Sequence, residues 1–453
     1  MHITPRFTLS QTSTHVILTL TLPYIRVGSA ETLIDGPNLT FTCQSYLLKL
    51  TFSNVLLDDD DHQVNAIYDP NVNNGTLSIN IFKLNEGEDF NDLDLTTKLL
   101  QPKLPKKYTP KIEIIESNED KDEDSDDEEF EDEVSVLEHL KAIEIEGEEK
   151  KVKPKYGFNL TFTNEHSQIR PELREISAVD LDVIGWSEKR ELRLTKELED
   201  FDRNRYQSDY FINDIKFEEF NPEGHDMLYT VAMNHAPWWF DDLSFELKSL
   251  TLEADDTEVL SKIPNKLQTI QNPKPLFLGL ISILFSYILD TRLTDNEPTV
   301  ESAFNLWKCS SIFNWFESYH GSRDDVKMCL VEGVRRGLCY GYCRNFELCL
   351  KGVEDLVEVM GVRRKVIKCF IEIYRIFEKS DVYYLMNRFY VEPYLVFLQN
   401  RTEEEMKEFG EEVKACWMGE KRNLEKFKES VFEGLREMEV EVEESVESNS
   451  SED

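Results

Sequence analysis

Residues 331–353 read VEGVRRGLCYGYCRNFELCLKGV. Val331, Val334, Leu338, Tyr342, Phe346, Cys349 and Val353 recur at steps of three and four, a spacing that lines them along one stripe of an α-helix and turns that stripe toward a core. The other face is polar. Arg335, Arg336 and Arg344 lie in or beside the stripe and carry two readings: a planar guanidinium that clamps carboxylates or carbonyls of neighbouring helices from inside, or a cation on a face that meets a partner. Gly337 and Gly341 would each cost a helix about 1 kcal/mol relative to alanine, which predicts a kink or a close approach of another element.

Helical periodicity continues on both sides. Tyr156 onward is helical in character, with Tyr156-Gly157-Phe158 as the entry, residues 189–205 as a charged amphipathic helix bearing Leu192, Leu194, Leu198 and Phe201, and the aromatic stretch Ala236-Pro237-Trp238-Trp239-Phe240 after it. Residues 275–289 are fifteen without a charge, too short for a bilayer and suited to a central buried helix. Stripes of period 3.6 follow over 298–319, 353–377 and 382–399, joined by short connections, and together they describe one mostly helical domain over 156–436.

The first hundred residues obey another rule. HVILTLTL (15–22), LTFTC (39–43), LLKLTF (47–52) and LSINI (77–81) alternate apolar with polar or threonine positions, as half-buried strands do. Asp35-Gly36 and Asn73-Asn74-Gly75 are placed as hairpin turns, and Pro5 sits where a strand start tolerates a missing N–H. Residues 1–102 therefore predict a small antiparallel sandwich, giving an α+β chain of two domains. Between them, 103–155 predicts a disordered acidic linker: thirteen acids and one lysine occupy 116–133, with a thin amphipathic stripe over 134–145. Such a tether, spanning on the order of 40 Å, predicts domains that move independently unless a partner joins them. Residues 437–453 hold eight acids and no base and predict a second disordered run, in which Ser445, Ser448, Ser450 and Ser451 suit acidophilic phosphorylation.

Charge narrows the function. The 453 residues carry 89 acids against 51 lysines and arginines, net −38, which disfavours direct nucleic-acid or anionic-membrane binding and favours a basic partner. A basic protein whose natural ligand is RNA or DNA would meet this chain as a polyanion. The opening MHITPRFTLSQ has no apolar leader core, and a soluble protein is expected. Seven of the eight cysteines fall in apolar helical segments of the C-terminal half, the usage of reduced, buried thiols. Cys339, Cys343 and Cys349 are close enough in sequence to share a metal, but no C-x-x-C pair occurs and His320 is remote, so neither metal nor other cofactor is expected. No Walker loop, dinucleotide glycine motif, zinc helix or nucleophile elbow occurs, and no enzyme is expected.

Particular strings go further than pattern. ITPRFTLSQ (3–11), YLLKLTF (46–52) and KLNEGEDFNDLDLTTKLL (83–100) resemble the CS domain of the Shq family, assembly chaperones of box H/ACA ribonucleoproteins. YILDTR (287–292), Thr299 to Ser302 with Trp307, RRGLCY (335–340), Arg344-Asn345-Phe346 and YYLMN (383–387) with Leu398-Gln399 are similar to successive motifs of that family's helical domain. The chain departs where Gly341-Tyr342-Cys343 replaces the family's usual Pro-Leu-Tyr, and where Phe304 replaces tryptophan.

The resemblance implies a seven-stranded sandwich related to small heat-shock proteins. It also implies a nuclear chaperone, also expected in the cytoplasm and monomeric when free, that binds the pseudouridine synthase dyskerin before RNA does, as an RNA mimic. Candidate partner-binding residues are then Phe7, Gln11 and Lys83 in the sandwich and Arg335, Arg336 and Arg344 in the helices. The plainer reading makes Phe7 core and Lys83 a solvated strand end. Two other classes stay open: a generic CS co-chaperone of the ninety-kilodalton heat-shock chaperone acting through 1–102, and an acidic histone-type chaperone acting through 116–133 and 437–453.

Overall fold

Alternation in the first hundred residues becomes two packed sheets. The computed structural model describes residues 3–23, 30–57, 65–70, 72, 75–100, 154–163, 175–214, 226–240, 252–266, 270–322 and 324–433. The acidic run 116–133, the stripe 134–145, the tail 437–453 with its serines, and Asn73-Asn74 lie outside these. Strands β1 (Arg6–Gln11), β2 (His15–Thr21), β3 (Ala30–Asp35), β4 (Asn38–Cys43), β5 (Tyr46–Thr51), β6 (Asn65–Asp69) and β7 (Thr76–Phe82) form a four-stranded sheet, β1-β2-β7-β6, and a three-stranded sheet, β3-β4-β5, with antiparallel pairing throughout. In register, Val16, Leu18 and Leu20 oppose Ile81, Ile79 and Leu77, and these bury against Leu39, Phe41 and Cys43 of the other sheet in one core. Gly36 turns the β3–β4 hairpin at φ 56, the left-handed region that a side chain resists.

From Tyr156 the body is helical. α1 (Thr96–Leu99) ends the sandwich; α2 (Trp186–Asp200), α3 (Arg203–Asp214), α4 (Asp226–Asn234) and α5 (Ala254–Lys262) lead to α6 (Lys274–Leu293). Tyr156-Gly157-Phe158 is not itself α-helical: Tyr156 bridges Phe162, a 3-10 turn spans Phe158–Leu160, and both Tyr156 and Phe158 enter the core. α6 is longer than the uncharged run suggested, and every residue from Pro275 to Arg292 is buried. By length and composition it could cross a membrane, yet 94% of its most apolar window lies inside the protein. Around it pack α7 (Ser302–Cys309), α8 (Ser311–Trp315), α9 (Val326–Tyr340), α10 (Phe346–Met360) and α11 (Arg363–Glu378). A π-helical turn (Asn387–Val391) then runs into α12 (Glu392–Gln399), and α13 (Glu403–Lys421) follows.

Three expectations need correction. The stripe over 331–353 belongs to two helices, because α9 stops at Gly341 and Asn345 caps α10 by accepting from the Leu348 N–H at 3.0 Å. Tyr342 falls in the break and is 61% exposed. Gly337 is instead a close approach: a Cβ there would stand 2.8 Å from Cys349 Sγ and 3.2 Å from Leu289. Similarly, 353–377 divides at Gly361-Val362, and the helix over 189–205 ends at Asp200.

The face of α2 is also reversed from its leucines. Leu192 is 45% exposed, whereas Lys189, Arg193 and Glu197, one helical turn apart, are fully buried. A stripe of charge, not of leucine, faces the core.

The third correction concerns the two domains, which are in direct contact rather than separated by a free tether. Leu95 is buried in the core of the helical body rather than in that of the sandwich. Beside it, Thr96 Oγ1 donates to the Thr257 carbonyl at 2.9 Å, Thr97 Oγ1 donates to that of Leu260, and Asn265 Nδ2 donates to that of Leu100 at 2.8 Å. Asp92 receives Arg363 at 2.8 Å, Arg364 at 3.2 Å and Lys98 at 2.8 Å; Asp94 receives Arg364 and the Leu252 N–H. Burial alone would raise the Asp92 carboxyl, and Lys98 and Arg363 outweigh it, so the group lies below its ordinary value. Linker length bears little on this, since the contact is made by residues before the linker begins.

Candidate partner-binding surfaces

In the sandwich, two of the three candidate residues, Gln11 and Lys83, meet each other. Phe7 is in the core. Lys83 is buried, its Nζ donating to Gln11 Oε1 at 2.9 Å and to the Glu88 carbonyl at 2.7 Å, with the Phe90 ring 5.5 Å away. Gln11 accepts from the Phe90 N–H at 2.9 Å and donates to the Phe90 carbonyl at 3.1 Å. Strand β1, the end of β7 and the 83–90 loop are thereby tied together, and the polar ends of Gln11 and Lys83 are occupied within the domain. Lys83 is no solvated strand end.

Among the arginines, Arg336 is wholly interior. Its Nη1 meets Glu197 at 2.7 Å, while Nε and Nη2 donate to the carbonyls of Cys309 and Lys308 at 3.1 and 2.5 Å, capping the end of α7. Arg335, half-buried, donates to the carbonyls of Val431 and Ser430 at 3.0 and 3.1 Å. Arg344 takes Asp209 on its backbone N–H at 3.1 Å, and its Nε and Nη1 are buried without a hydrogen-bond partner.

Arg336 belongs to a larger lattice. Arg193 spreads its fork over three acids: Glu197 at 2.9 Å, Glu317 at 3.2 Å and Glu332 at 2.8 Å. Arg190 holds Asp324 at 2.5 Å and Glu317 at 3.4 Å, and Tyr319 donates to Glu332 at 2.9 Å. Burial lifts Glu317 above its ordinary range against the pull of Arg193. It would lift Glu197 too, but Arg193 and Arg336 outweigh it there and Glu197 lies low. Lys189 Nζ is buried with no hydrogen-bond partner, and burial depresses it to about 8 despite Glu317.

Sequence reading named none of Lys189, Arg193, Glu197, Glu317 or Glu332. The available signal was the four-residue spacing of 189, 193 and 197 on one helix. A separate fork joins α4, α6 and α10: Arg292 holds Asp355 through two bonds of 2.6 and 2.8 Å and donates to the Ala232 carbonyl at 2.7 Å.

Thiol chemistry is suppressed in this body. Burial raises Cys309 to about 11, and raises Cys339 and Cys343 to about 12, so at neutral pH they are thiols and not thiolates. Among the described residues no three or more His, Cys, Asp or Glu side chains converge as metal ligands. What this architecture offers is a helical body in which Arg193, Arg292 and Arg336 are committed internally to carboxylates.

Comparison with known proteins matches two family models to separate parts of the chain. A family model described as SHQ1-like, CS domain matches residues 4–100, ending where α1 docks, and one described as SHQ1 protein, Shq1 domain matches residues 244–427. Over 410 residues, 88% of this chain, it is 31% identical to the Protein SHQ1 homolog of Xenopus tropicalis, and covers 64% of that protein. It is 26% identical over 432 residues to the Mus musculus homolog, with 91% of this chain and 72% of that one aligned. With Protein shq1 of Schizosaccharomyces pombe it shares 27% over 434 residues, 91% of this chain and 92% of the other. The chain thus spans less than two thirds of the frog relative's length and most of the fission-yeast relative's.

Proposed function

The chain belongs to the SHQ1 family, and on that premise we propose that it is an assembly chaperone for box H/ACA ribonucleoproteins. In this reading it holds the pseudouridine synthase dyskerin before RNA is loaded, covering the synthase's RNA-binding surface as an RNA mimic. It works in the nucleus, as a monomer when free and without catalysis.

The observation that carries the reading is where the charges go. Arg193, Arg292, Arg336 and Arg363, the side chains best built to grip phosphate, are buried on carboxylates. The excess of 89 acids over 51 bases therefore acts outward. A protein so arranged repels RNA and attracts the basic surface that RNA would occupy. Both sheets and helices are held in one joint, so such a surface meets a preformed shape, which lowers the ordering cost of binding.

The test is a titration of the full chain against dyskerin's catalytic and RNA-binding core at several salt concentrations, with and without H/ACA RNA. Binding that weakens with salt and is displaced by the RNA is expected. Absence of binding, or RNA and chain bound together without competition, would refute the mimic.

A further inference from the structure

One side of the sandwich is closed and the other is open. Ile3 donates to the Ser45 carbonyl at 2.8 Å and accepts from the Leu47 N–H at 3.0 Å, which ties the start of β1 to β5. The helical body lies against β1 as well, where Arg6 holds Glu258 at 3.0 Å. Since the sheets run β1-β2-β7-β6 and β3-β4-β5, the opposite side is left with the edges β6 and β3. Among the described residues no strand pairs with the outer side of β3.

The hairpin fixes which groups of β3 are free. Asp35 and Asn38 face each other across a two-residue turn, Gly36-Pro37, and Pro37 has no N–H to give any other ladder, so the two form a hydrogen-bonded pair. Alternation then turns the N–H and C=O of Leu33 and Glu31 toward Thr40 and Thr42 of β4, and those of Ala30, Thr32 and Ile34 outward. Such a row of donors and acceptors is a template for one more strand. The strand that carries it is anchored: Ile34 is in the sandwich core and Ala30 packs against it. Its sequence, AETLID, has neither of the usual edge guards, proline or lysine.

Side chains select the occupant. On the outer face Leu33 is 67% exposed between the exposed Glu31 and Asp35. Those two acids make no ion pair among the described residues. Beside them β4 sets the neutral Asn38, Thr40 and Thr42, and Lys49 of β5 stands two strands away, about 10 Å. An added strand would meet residues 31, 33 and 35 at non-hydrogen-bonded positions, the closer kind, with Cα atoms about 4.5 Å apart. A second copy of β3, paired antiparallel about Leu33, sets Glu31 against Asp35 twice at that spacing, and the like charges oppose it. A strand with an apolar residue opposite Leu33 and a cation opposite each acid gains at all three.

We propose that the β3 edge takes up an extended segment of a basic protein, with lysine or arginine at two positions four residues apart and an apolar residue midway between them. Main-chain bonds to Thr32 and Ile34 supply the pairing, and Glu31, Leu33 and Asp35 supply the choice of partner. The inference goes beyond the proposed function and rests on β3 alone.

The test uses the full chain and fluorescent peptides read by anisotropy. Gly-Lys-Val-Val-Val-Lys-Gly spaces its cations as the acids are spaced. Gly-Val-Lys-Val-Lys-Val-Gly has the same composition with its lysines two apart, and binds about three- to tenfold more weakly. The first peptide N-methylated on its first and third valines keeps charge and apolar surface but cannot pair, and binds at least about tenfold more weakly.

Thr32→Pro removes an outward N–H and leaves the ladder to β4 whole, a place where edge strands tolerate proline, and weakens the first peptide about tenfold. Leu33→Lys, at an exposed position, weakens it about fivefold or more. E31K/D35K turns the preference toward Gly-Glu-Val-Val-Val-Glu-Gly. The control E404Q/E408Q, on exposed positions of α13, lowers the negative charge elsewhere and changes binding less than about twofold. No binding of the first peptide, equal binding of either control peptide, or wild-type affinity in both Thr32→Pro and Leu33→Lys overturns the proposal. A dimer of the free chain in sedimentation that Thr32→Pro dissolves would assign the edge to a second copy and overturn it as well. Failure of the synthase titration with the peptide pattern intact would sink the proposed function and leave the edge standing.

Discussion

Replacing Arg193 by methionine tests whether the buried lattice holds the helical body together. Methionine fills much of the same space, so the main change is electrical. Three carboxylates lose a partner, but unequally. Glu197 keeps Arg336 at 2.7 Å and Glu317 keeps Arg190 at 3.4 Å, whereas among the described residues Glu332 keeps one hydrogen-bond partner, the Tyr319 hydroxyl at 2.9 Å, and a more distant Arg190. Stranding a buried carboxylate costs about 3–5 kcal/mol, and most of that falls on Glu332. Adding Glu332→Gln should then restore about half or more of the loss, since the amide still accepts from Tyr319 and leaves no bare charge.

The penalty should also depend on pH. Glu317 already sits above its ordinary value of 4.5 through burial, with Arg193 the largest influence against it. Its protonated form is the one the fold favours, so this group's stability is present in acid and lost as pH rises through the raised value. Losing Arg193 moves that loss further up the scale, making the penalty greater at pH 7.5 than at pH 5.5, by about 1–2 kcal/mol for a shift near one unit. Urea unfolding followed by tryptophan fluorescence at both pH values reads all of this. A penalty below about 1 kcal/mol, no change with pH, or a double variant weaker than the single one would refute the reasoning.

Four further outcomes follow from other contacts. Because burial holds Lys189 near 8 against an ordinary 10.5, the unfolded chain binds its proton more tightly, and stability should rise between pH 8 and 10.5, by on the order of 3 kcal/mol, relative to Lys189→Met; parallel unfolding curves across that window would contradict it. Arg363→Ala with Arg364→Ala should free the sandwich from the helical body by stranding Asp92 and Asp94, giving a larger radius of gyration in small-angle scattering; an unchanged radius would show that Thr96, Thr97 and Leu95 suffice. Lys83→Met should speed hydrogen exchange at the Phe90 amide about tenfold or more, as Gln11 loses the group that fixes it; unaltered exchange would mean the 83–90 loop is held otherwise. Gly410→Ala should lower stability by about 1–3 kcal/mol because its Cβ would press on the backbone of Gly361, whereas Gly419→Ala, with open space, should be neutral or gain up to about 1 kcal/mol.

What the sequence disclosed depended on whether hydrophobicity and burial coincide. They coincide in β2, β4 and β7, whose alternate residues are the sandwich core, and those strands were legible to within a residue or two. They part in β3 and β6, which lie at sheet edges and expose Leu33 and Ile67, so neither strand announced itself by pattern. They part most in α2, where the buried stripe is Lys189, Arg193 and Glu197. No hydrophobic scale marks such a stripe, because what makes it tolerable is carboxylates and a guanidinium more than a hundred residues away, at Glu317, Glu332 and Arg336. The break after α9 carried local signals, Gly341 and the capping Asn345, that the persistent apolar stripe overrode. Arg336 was legible as an internal clamp because acids are abundant; the domain joint was not, since Asp92 and Asp94 look like surface acids until Arg363 and Arg364 are brought to them.

The same lattice bears on how an acidic chain could be selective. Lys189, Arg190, Arg193 and Arg336 stand against Glu197, Glu317, Asp324 and Glu332, four charges against four, so with Lys189 protonated the interior is balanced and subtracts nothing from the exterior. The net −38 is then a property of the surface and the acidic runs, where ions screen it within about 10 Å at 0.1 M salt. A field of that kind sets the rate at which any basic protein arrives, and it does not tell one basic protein from another. Discrimination has to come from short-range features that hold one geometry. Here those are the ion-paired joint between sandwich and helices, which sets their surfaces side by side, and the exposed aromatic positions such as Tyr384 and Phe304, where a misplaced cation gains nothing. Salt should therefore change how fast a partner binds much more than how long it stays, and a variant of an exposed aromatic such as Tyr384→Ala should do the reverse.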